Sequence, residues 1–277
     1  MSVEHIDCTI EEYHARPEWS SSQVKLLPHK PVLFYRRHIT REFPFKSTAS
    51  TKLGDAVHRA LLDGTQVMDI PADVLSKNGA KAGNAWKQFA AENDDKVLVK
   101  ADDPIKHMVA SVRANALAMK LLESPGWTEH TLTDRDEETG LPLRTRPDRI
   151  VRSLEGFIIP DIKSTVDPLF GDRHFGKQIA KLDYHRQAAW YWDTVARWEP
   201  DEPVFAFAFI AVRNAAPYEC VVHPLHEDAI ALGRRENRVA LDELKRRLDT
   251  DDWNLPEHGV IDLPAWRYKQ EEDTDGY

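Results

Sequence analysis

Cysteine is almost missing from this chain: Cys8 and Cys220 are the only two among 277 residues, and no CxxC pair occurs. Two distant thiols make neither a disulfide framework nor a zinc cluster held by thiolates. Long apolar runs are missing as well. No stretch approaches the roughly 20 apolar residues that a membrane helix needs. The N-terminal "MSVEHIDCTIEEYH" lacks the basic and apolar regions of a secretory signal, so the sequence predicts a cytoplasmic protein with no membrane partner. There is no internal repeat and no long linker, which favours one α/β domain over residues 1–277.

What is present suits a globular chain. Hydrophobic residues make up 42% and charged residues 30% of it, and the length suffices to bury a core. The net charge of −9 is unevenly spread. From Glu199 to Tyr277 there are 18 acidic and 9 basic residues, which accounts for the whole excess. In the neutral remainder, Ser22 to Lys46 carries Lys25, Lys30, Arg36, Arg37, Arg41 and Lys46 against the single acid Glu42. Such a patch meets phosphates, and Lys25, Arg36 and Arg37 are its DNA-binding candidates; a solvated helix face is the bland alternative.

Periodicity divides the chain into three stretches. From about residue 10 to 125 the pattern is helical. The serines of "SSSQVKLLPHKPVLFYRRH" suit an N-cap, and Pro28 and Pro31 split it into a short helix, a turn and a second helix. "STKLGDAVHRALLDG" predicts an amphipathic helix stopped by Gly64. "GNAWKQFAAEND" and "PIKHMVASVRANALAMKLLES" predict one helix each, with Pro104 in the first turn of the latter. From about 127 to 224 strands take over. "WTEHTLTDRD", "LPLRTRPDRIVRS" and "GFIIPDIKST", separated by the turns "EETG" and "SLEG", predict a three-stranded antiparallel meander. "FGKQIAKLDYHRQAAWYWDTVARW" predicts one long helix, "VFAFAFIAVR" a strand covered on both faces, and "YECVVHPL" its neighbour. A charged helix and an acidic tail, 226–277, complete the chain.

Polar residues interrupt the strand region at "RTRPDRIVRSLEGFIIPDIKST". Asp161 and Lys163 are two apart on one predicted strand and leave the same face. Asp148 falls on the preceding strand, within reach of Asp161. Clustered carboxylates repel one another and resist desolvation unless a cation compensates. A hard divalent ion held by one or two carboxylates and substrate phosphate oxygens fits, and Lys163 beside it would orient a water for hydrolysis. The acid-x-lysine triplet recurs at Asp94-Asp95-Lys96 and Glu243-Leu244-Lys245, in a polar stretch and on a charged helix. Only the copy at Asp161 has an upstream aspartate on a paired strand.

With these residues in place, the chain resembles the PD-(D/E)xK nuclease superfamily, with Pro147-Asp148 as its first element and Asp161-Ile162-Lys163 as its second. More narrowly, it is similar to the branch of RecB-type nuclease domains and phage-derived exonuclease VIII (RecE-type) enzymes. "LGDAVHRALLDG" resembles the helix that offers a histidine, here His58. "YHRQAAWYWD" resembles the helix with a glutamine and a tyrosine one turn apart, here Gln187 and Tyr191. "YHARPEWSSSQVKLLPHKPVLFYRRH" resembles the N-terminal segment of exonuclease VIII-type domains. The likeness extends from about Tyr13 to Pro224.

The resemblance implies a restriction-endonuclease-like α/β fold: a mixed, largely antiparallel central sheet flanked by helices, with a helical N-terminal part. It implies that Asp148, Asp161 and the main-chain carbonyl of Ile162 hold Mg²⁺ or Mn²⁺, with His58 helping if two ions are bound. Lys163 is then catalytic, and Gln187 and Tyr191 support it or a DNA phosphate by hydrogen bonds. His58 shares its helical face with Gly54, Leu61 and Leu62, so a satisfied core histidine is the bland alternative; Gly54 itself reads as room for a strand or a phosphate, or as ordinary packing. Glu129 reads either as an added carboxylate or as exposed surface. Tyr184, Trp190 and Trp192 could stack on bases, but at helical spacing they fit a core better.

The family further implies a metal-dependent exodeoxyribonuclease, bacterial or prophage-encoded, that acts 5′ to 3′ on the ends of linear double-stranded DNA. It would leave 3′ single strands for recombination, work beside a single-strand annealing protein, and form a ring-shaped homo-oligomer, a tetramer or trimer. Two alternatives stand beside it: a structure-specific or single-strand endonuclease with the same core, and a non-catalytic DNA-binding module. Against the second stands the set Asp148, Asp161, Lys163 and Gln187, because clustered carboxylates repel phosphate.

Overall fold

The computed structural model describes residues 3–169, 174–254 and Asp262. The chain begins with β1 (Glu4–His5), α1 (Ile10–Ala15), β2 (Trp19–Ser20), α2 (Ser21–Val24) and α3 (Pro31–Phe34). A reciprocal cap between Thr9 and Glu12 starts α1. The prolines part α2 from α3 as expected, and α3 runs on into a π-helical turn at Tyr35–Ile39. Next come α4 (Ala49–Leu62), β3 (Val67–Asp69), α5 (Asn84–Glu92), β4 (Val97–Val99), α6 (Pro104–Ala114) and α7 (Ala116–Glu123).

Two expectations for this half are corrected. The stretch 104–124 is two helices, because Asn115 is extended and its side-chain oxygen accepts the N–H groups of Leu117 and Ala118, which ends α6 and caps α7. The half is also not wholly helical: β3 and β4 pair in parallel, and β1 and β2 join a sheet with strands from the second half.

The meander is the larger correction. "WTEHTLTDRD" holds two short strands, β5 (Gly126–Thr128) and β6 (Leu132–Arg135), and "LPLRTRPDRIVRS" holds β7 (Pro142–Thr145) and β8 (Arg149–Arg152). The members of each pair belong to different sheets. One sheet has the order β1-β6-β7-β2. The other has the order β11-β10-β9-β8-β5, with β9 (Phe157–Thr165), β10 (Val204–Arg213) and β11 (Cys220–Pro224). The chain changes sheet at Glu129, whose φ is 46°, and again around Pro147, which has no N–H to give a ladder. Asp148 therefore sits in the bend before β8 and not on a strand. At the β8–β9 turn, Gly156 has a φ of 128° and packs so closely on Pro203 that a Cβ would stand 2.1 Å from its carbonyl oxygen.

The five-stranded sheet is mixed: β9 and β10 run parallel and the other pairs antiparallel. β10 is covered on both faces, as its apolar run predicts. Phe207, Phe209 and Ala211 pack against Ala188, Ala189 and Val195, while Ala208, Ile210 and Val212 pack against Val57, Met108, Val109 and Leu121. α4, α6 and α7 thus cover one face. The other face lies under α8 (Phe175–Lys181) and α9 (Tyr184–Trp198), which are two helices and not one, parted where Asp183 takes a left-handed conformation.

α10 (Glu227–Thr250) packs on α9 through Gly233, where a Cβ would meet the His185 carbonyl oxygen at 2.4 Å. A further cluster of Leu27, Phe34, Leu143, Trp190, Leu244 and Trp253 fastens α2 and α3 to β7, α9 and α10, so the basic N-terminal segment lies against the sheet half of the molecule. Trp190 is core, 5% exposed. Among the described residues no helix is long and apolar enough to cross a membrane. Most of the acidic tail, including Trp266, lies outside the described residues.

Candidate active site

Strand period places the central residues. On β9, Phe157 and Ile159 enter the core under α9, whereas Ile162 enters the core under α4. Asp161 and Lys163, in phase with the first set, therefore point toward α8 and α9. On its other side β9 loses its partner: β8 pairs with it only at Val151–Ile158 and Arg152–Phe157. Continuing that register puts Asp148 opposite Asp161. There the Asp148 carboxylate replaces a strand, with Oδ2 accepting the Ile162 N–H at 2.7 Å.

His58 reaches the same point from α4. Its Nε2 lies 2.9 Å from the Ile162 carbonyl oxygen and its Nδ1 3.6 Å from Asp148 Oδ2. The imidazole thus touches two of the groups expected to hold a metal. Gly54, one turn earlier, faces Ser164 at ordinary contact distance, where a Cβ would stand 3.9 Å from Oγ, so the approach of α4 to β9 does not require a glycine.

Asp161 is fully buried, at 0% exposure, and neither carboxylate oxygen accepts a hydrogen bond of good geometry. Its one close partner among the described residues is the Lys163 ammonium, 2.5 Å from Oδ2. Burial, reinforced by the Asp148 charge and opposed by Lys163, pushes the Asp161 carboxyl up to about 6. Burial alone would lower Lys163, but Asp161 and Asp148 hold it above its usual value. A carboxylate buried without hydrogen bonds, beside a second carboxylate, a main-chain carbonyl and an imidazole, is a donor set that fits a hard divalent cation.

The helix side is organised by α9. Tyr184, Gln187 and Tyr191 follow at i, i+3 and i+7 on one face. The Gln187 side-chain amide donates to the Tyr191 hydroxyl at 2.8 Å. Burial, then Tyr13 and Asp161, raise Tyr191 well above its usual value, so its hydroxyl keeps its proton. The structure brings Tyr191 within electrostatic reach of Asp161 and Asp148, whereas Gln187 joins them through Tyr191. Tyr184, which its helical spacing assigns to the core, does pack on the core and is also a neighbour of the site: Lys163 Nζ lies 4.9 Å from its ring centroid. Its signal was its position one turn before Gln187.

Glu129 pairs with Arg146 at 3.1 Å. Within the basic patch the structure separates the three candidates. Lys25 comes to the site, donating to the Leu182 carbonyl at 2.8 Å near Tyr184. Arg36 lines a cleft of about 390 Å³ with His29, Lys30, Leu33 and Phe43, and Arg37 lies over the Phe45 ring; no catalytic candidate lines that cleft. A second group, Asp183, His185 and Glu236, brings ligand atoms within 4.8 Å of one another, but His185 and Glu236 already bond to each other at 2.7 Å.

A bent pair of strands presenting an aspartate and a D-x-K triplet, with helices on both faces of a mixed sheet, defines a PD-(D/E)xK nuclease fold. The chain belongs to the family described as PDDEXK-like domain of unknown function (DUF3799), whose model matches residues 20–258. Among solved structures it is similar to a protein from Eubacterium rectale described as a candidate exonuclease, with a TM-score of 0.62 and 13% identity, covering 98% of this chain and 100% of that one. A likeness to SSO0001 is much weaker, at a TM-score of 0.29 and 13% identity over 77% of this chain and 91% of the other. No curated protein matches significantly.

Proposed function

We propose that this protein is a divalent-metal-dependent exodeoxyribonuclease that degrades linear double-stranded DNA from its 5′ ends and leaves 3′ single strands for recombination. The observation that carries the reading is the Asp161 carboxylate, buried without hydrogen bonds between Lys163 and the Asp148–His58–Ile162 group. A purely structural core has little use for such a group, because a buried ion pair whose carboxylate is otherwise unsatisfied is destabilising.

Asp148, Asp161 and the Ile162 carbonyl, with His58, are the residues that would hold Mg²⁺ or Mn²⁺, two ions if His58 takes part. Such an ion supplies Lewis-acid stabilisation of a phosphoryl oxygen and a more acidic water. Lys163, held protonated by Asp161 and Asp148, acts as a donor that orients the attacking water and not as a base. Asp148 fixes the main chain at Ile162, and Tyr191 with Gln187 closes the site from α9. The ring-shaped trimer or tetramer and the single-strand annealing partner extend this reading.

The test is a time course in Mg²⁺ on linear duplex DNA labelled at the 5′ or the 3′ end, beside a covalently closed circle and the Lys163→Ala variant. Early release of the 5′ label, an intact circle and an inert variant are expected. Cutting of the circle would favour the endonuclease alternative, and absence of any Lys163-dependent cutting would favour a non-catalytic DNA-binding module.

A further inference from the structure

The residue in question is Lys25, the C-cap of α2, 138 positions before Lys163 in the chain. Its ammonium lies 5.8 Å from the Tyr184 ring centroid, and the Lys163 ammonium lies 4.9 Å from the same centroid. One tyrosine ring therefore spaces two lysines. The aromatic face attracts both charges and holds them without neutralising either.

Lys25 spends one donor on the Leu182 carbonyl. Among the described residues no carboxylate comes within ion-pair distance of it, whereas Lys163 has Asp161. Burial and then the charge of Lys163 depress Lys25 to about 8, against the pull of Asp183 and Asp161. A tether to a carbonyl needs a donor and no charge. Here a half-buried ammonium stands beside a like charge with no counter-ion and with donors to spare, which is an anion-binding arrangement.

Resting on the nuclease reading above, we infer that Lys25 is a ligand of the substrate phosphate at the cleavage site, with Tyr184 as the positioning residue that spaces it from Lys163. A phosphodiester entering beside Asp161 supplies the negative charge that Lys25 lacks. The role differs from that of Arg36 and Arg37, which lie in the π-helical turn at Tyr35–Ile39 and not beside Tyr184.

The experiment uses full-length wild type, Lys25→Gln, Lys25→Arg and Lys163→Ala. Cleavage of linear duplex is followed in Mg²⁺, and duplex binding is followed in Ca²⁺ over a range of KCl. Glutamine keeps a donor for Leu182 but no charge; arginine keeps the charge. Lys25→Gln should lower kcat/KM roughly 100-fold and the salt slope of binding by about one, and Lys25→Arg should recover most of both. Tyr184→Leu should lower kcat with little change in KM, and Tyr184→Phe, which keeps the ring, should lower it less.

Wild-type rate and slope in Lys25→Gln would overturn the inference and leave Lys25 as a tether. Equal losses in Lys25→Gln and Lys25→Arg would overturn it as well. If wild type and Lys163→Ala were equally inert, the nuclease reading would fall instead, and the binding slope alone would decide Lys25: an unchanged slope in Lys25→Gln would refute it.

Discussion

His58 and Ile162 stand 104 positions apart in the chain and 2.9 Å apart between imidazole Nε2 and carbonyl oxygen. This contact brings α4 to the point on β9 where Asp148 takes the place of a paired strand. His58→Ala should raise the Mg²⁺ concentration needed for half-maximal cleavage about 10-fold or more, with a smaller change at saturating metal. An unchanged Mg²⁺ requirement would return His58 to the role of a core histidine.

Asp161 titrates near 6 in the folded chain against 3.8 for a free side chain. The folded state holds the proton more tightly, so the destabilisation due to its charge is absent below about pH 4, grows between 4 and 6, and is constant above. Lys163→Met removes the ammonium that offsets that charge. In EDTA, the stability lost relative to wild type should be on the order of 2 kcal/mol greater at pH 8 than at pH 5. Thermal unfolding at the two pH values checks this, and an equal loss at both would contradict the buried ion pair.

Tyr191→Phe deletes the hydroxyl that accepts from Gln187. Because that hydroxyl stays protonated beyond its usual range, the variant should lose activity, roughly 10-fold, without moving the alkaline limb of the pH–rate profile. A shifted alkaline limb would mean that Tyr191 titrates in the reaction.

Arg36→Glu combined with Arg37→Glu should weaken duplex binding and flatten the plot of log K against log salt by about one to two units. Cleavage at saturating DNA should hardly change, since neither arginine touches the carboxylates. A large fall in kcat at saturating DNA would place the π-helical turn inside the site.

Gly233→Ala puts a methyl group 2.4 Å from the His185 carbonyl, in the contact between α9 and α10. The loss should be about 1–3 kcal/mol in stability, seen as a lower Tm, with site residues on α9 displaced as a result. A Tm equal to that of wild type would show that the two helices are more loosely spaced.

The local layers of this fold were legible in sequence where short-range physics decides. The period of two placed Asp161 and Lys163 on one face of β9, the doubly apolar run marked β10, and prolines and Gly64 punctuated the helical half. Breaks made by single side chains were not legible: Asn115 capping one helix while ending another, Asp183 in a left-handed turn, and strands that change sheet at Glu129 and Pro147. Each depends on which distant partner satisfies the backbone, and local propensity does not encode that.

The candidate site divides in the same way. By itself the sequence pointed to Asp148, Asp161 and Lys163, because clustered carboxylates and a lysine are costly to bury in a sheet without a use for them, while the family resemblance added His58, Gln187 and Tyr191. Only the tertiary structure decided that Asp148 sits in a bend where its carboxylate substitutes for a strand, that Tyr184 lies against Lys163, and that Lys25 leaves the basic patch to join them. The physical reason is that burial and charge pairing are properties of neighbours in space, and the packing of α2 on α9 and β7 sets those neighbours.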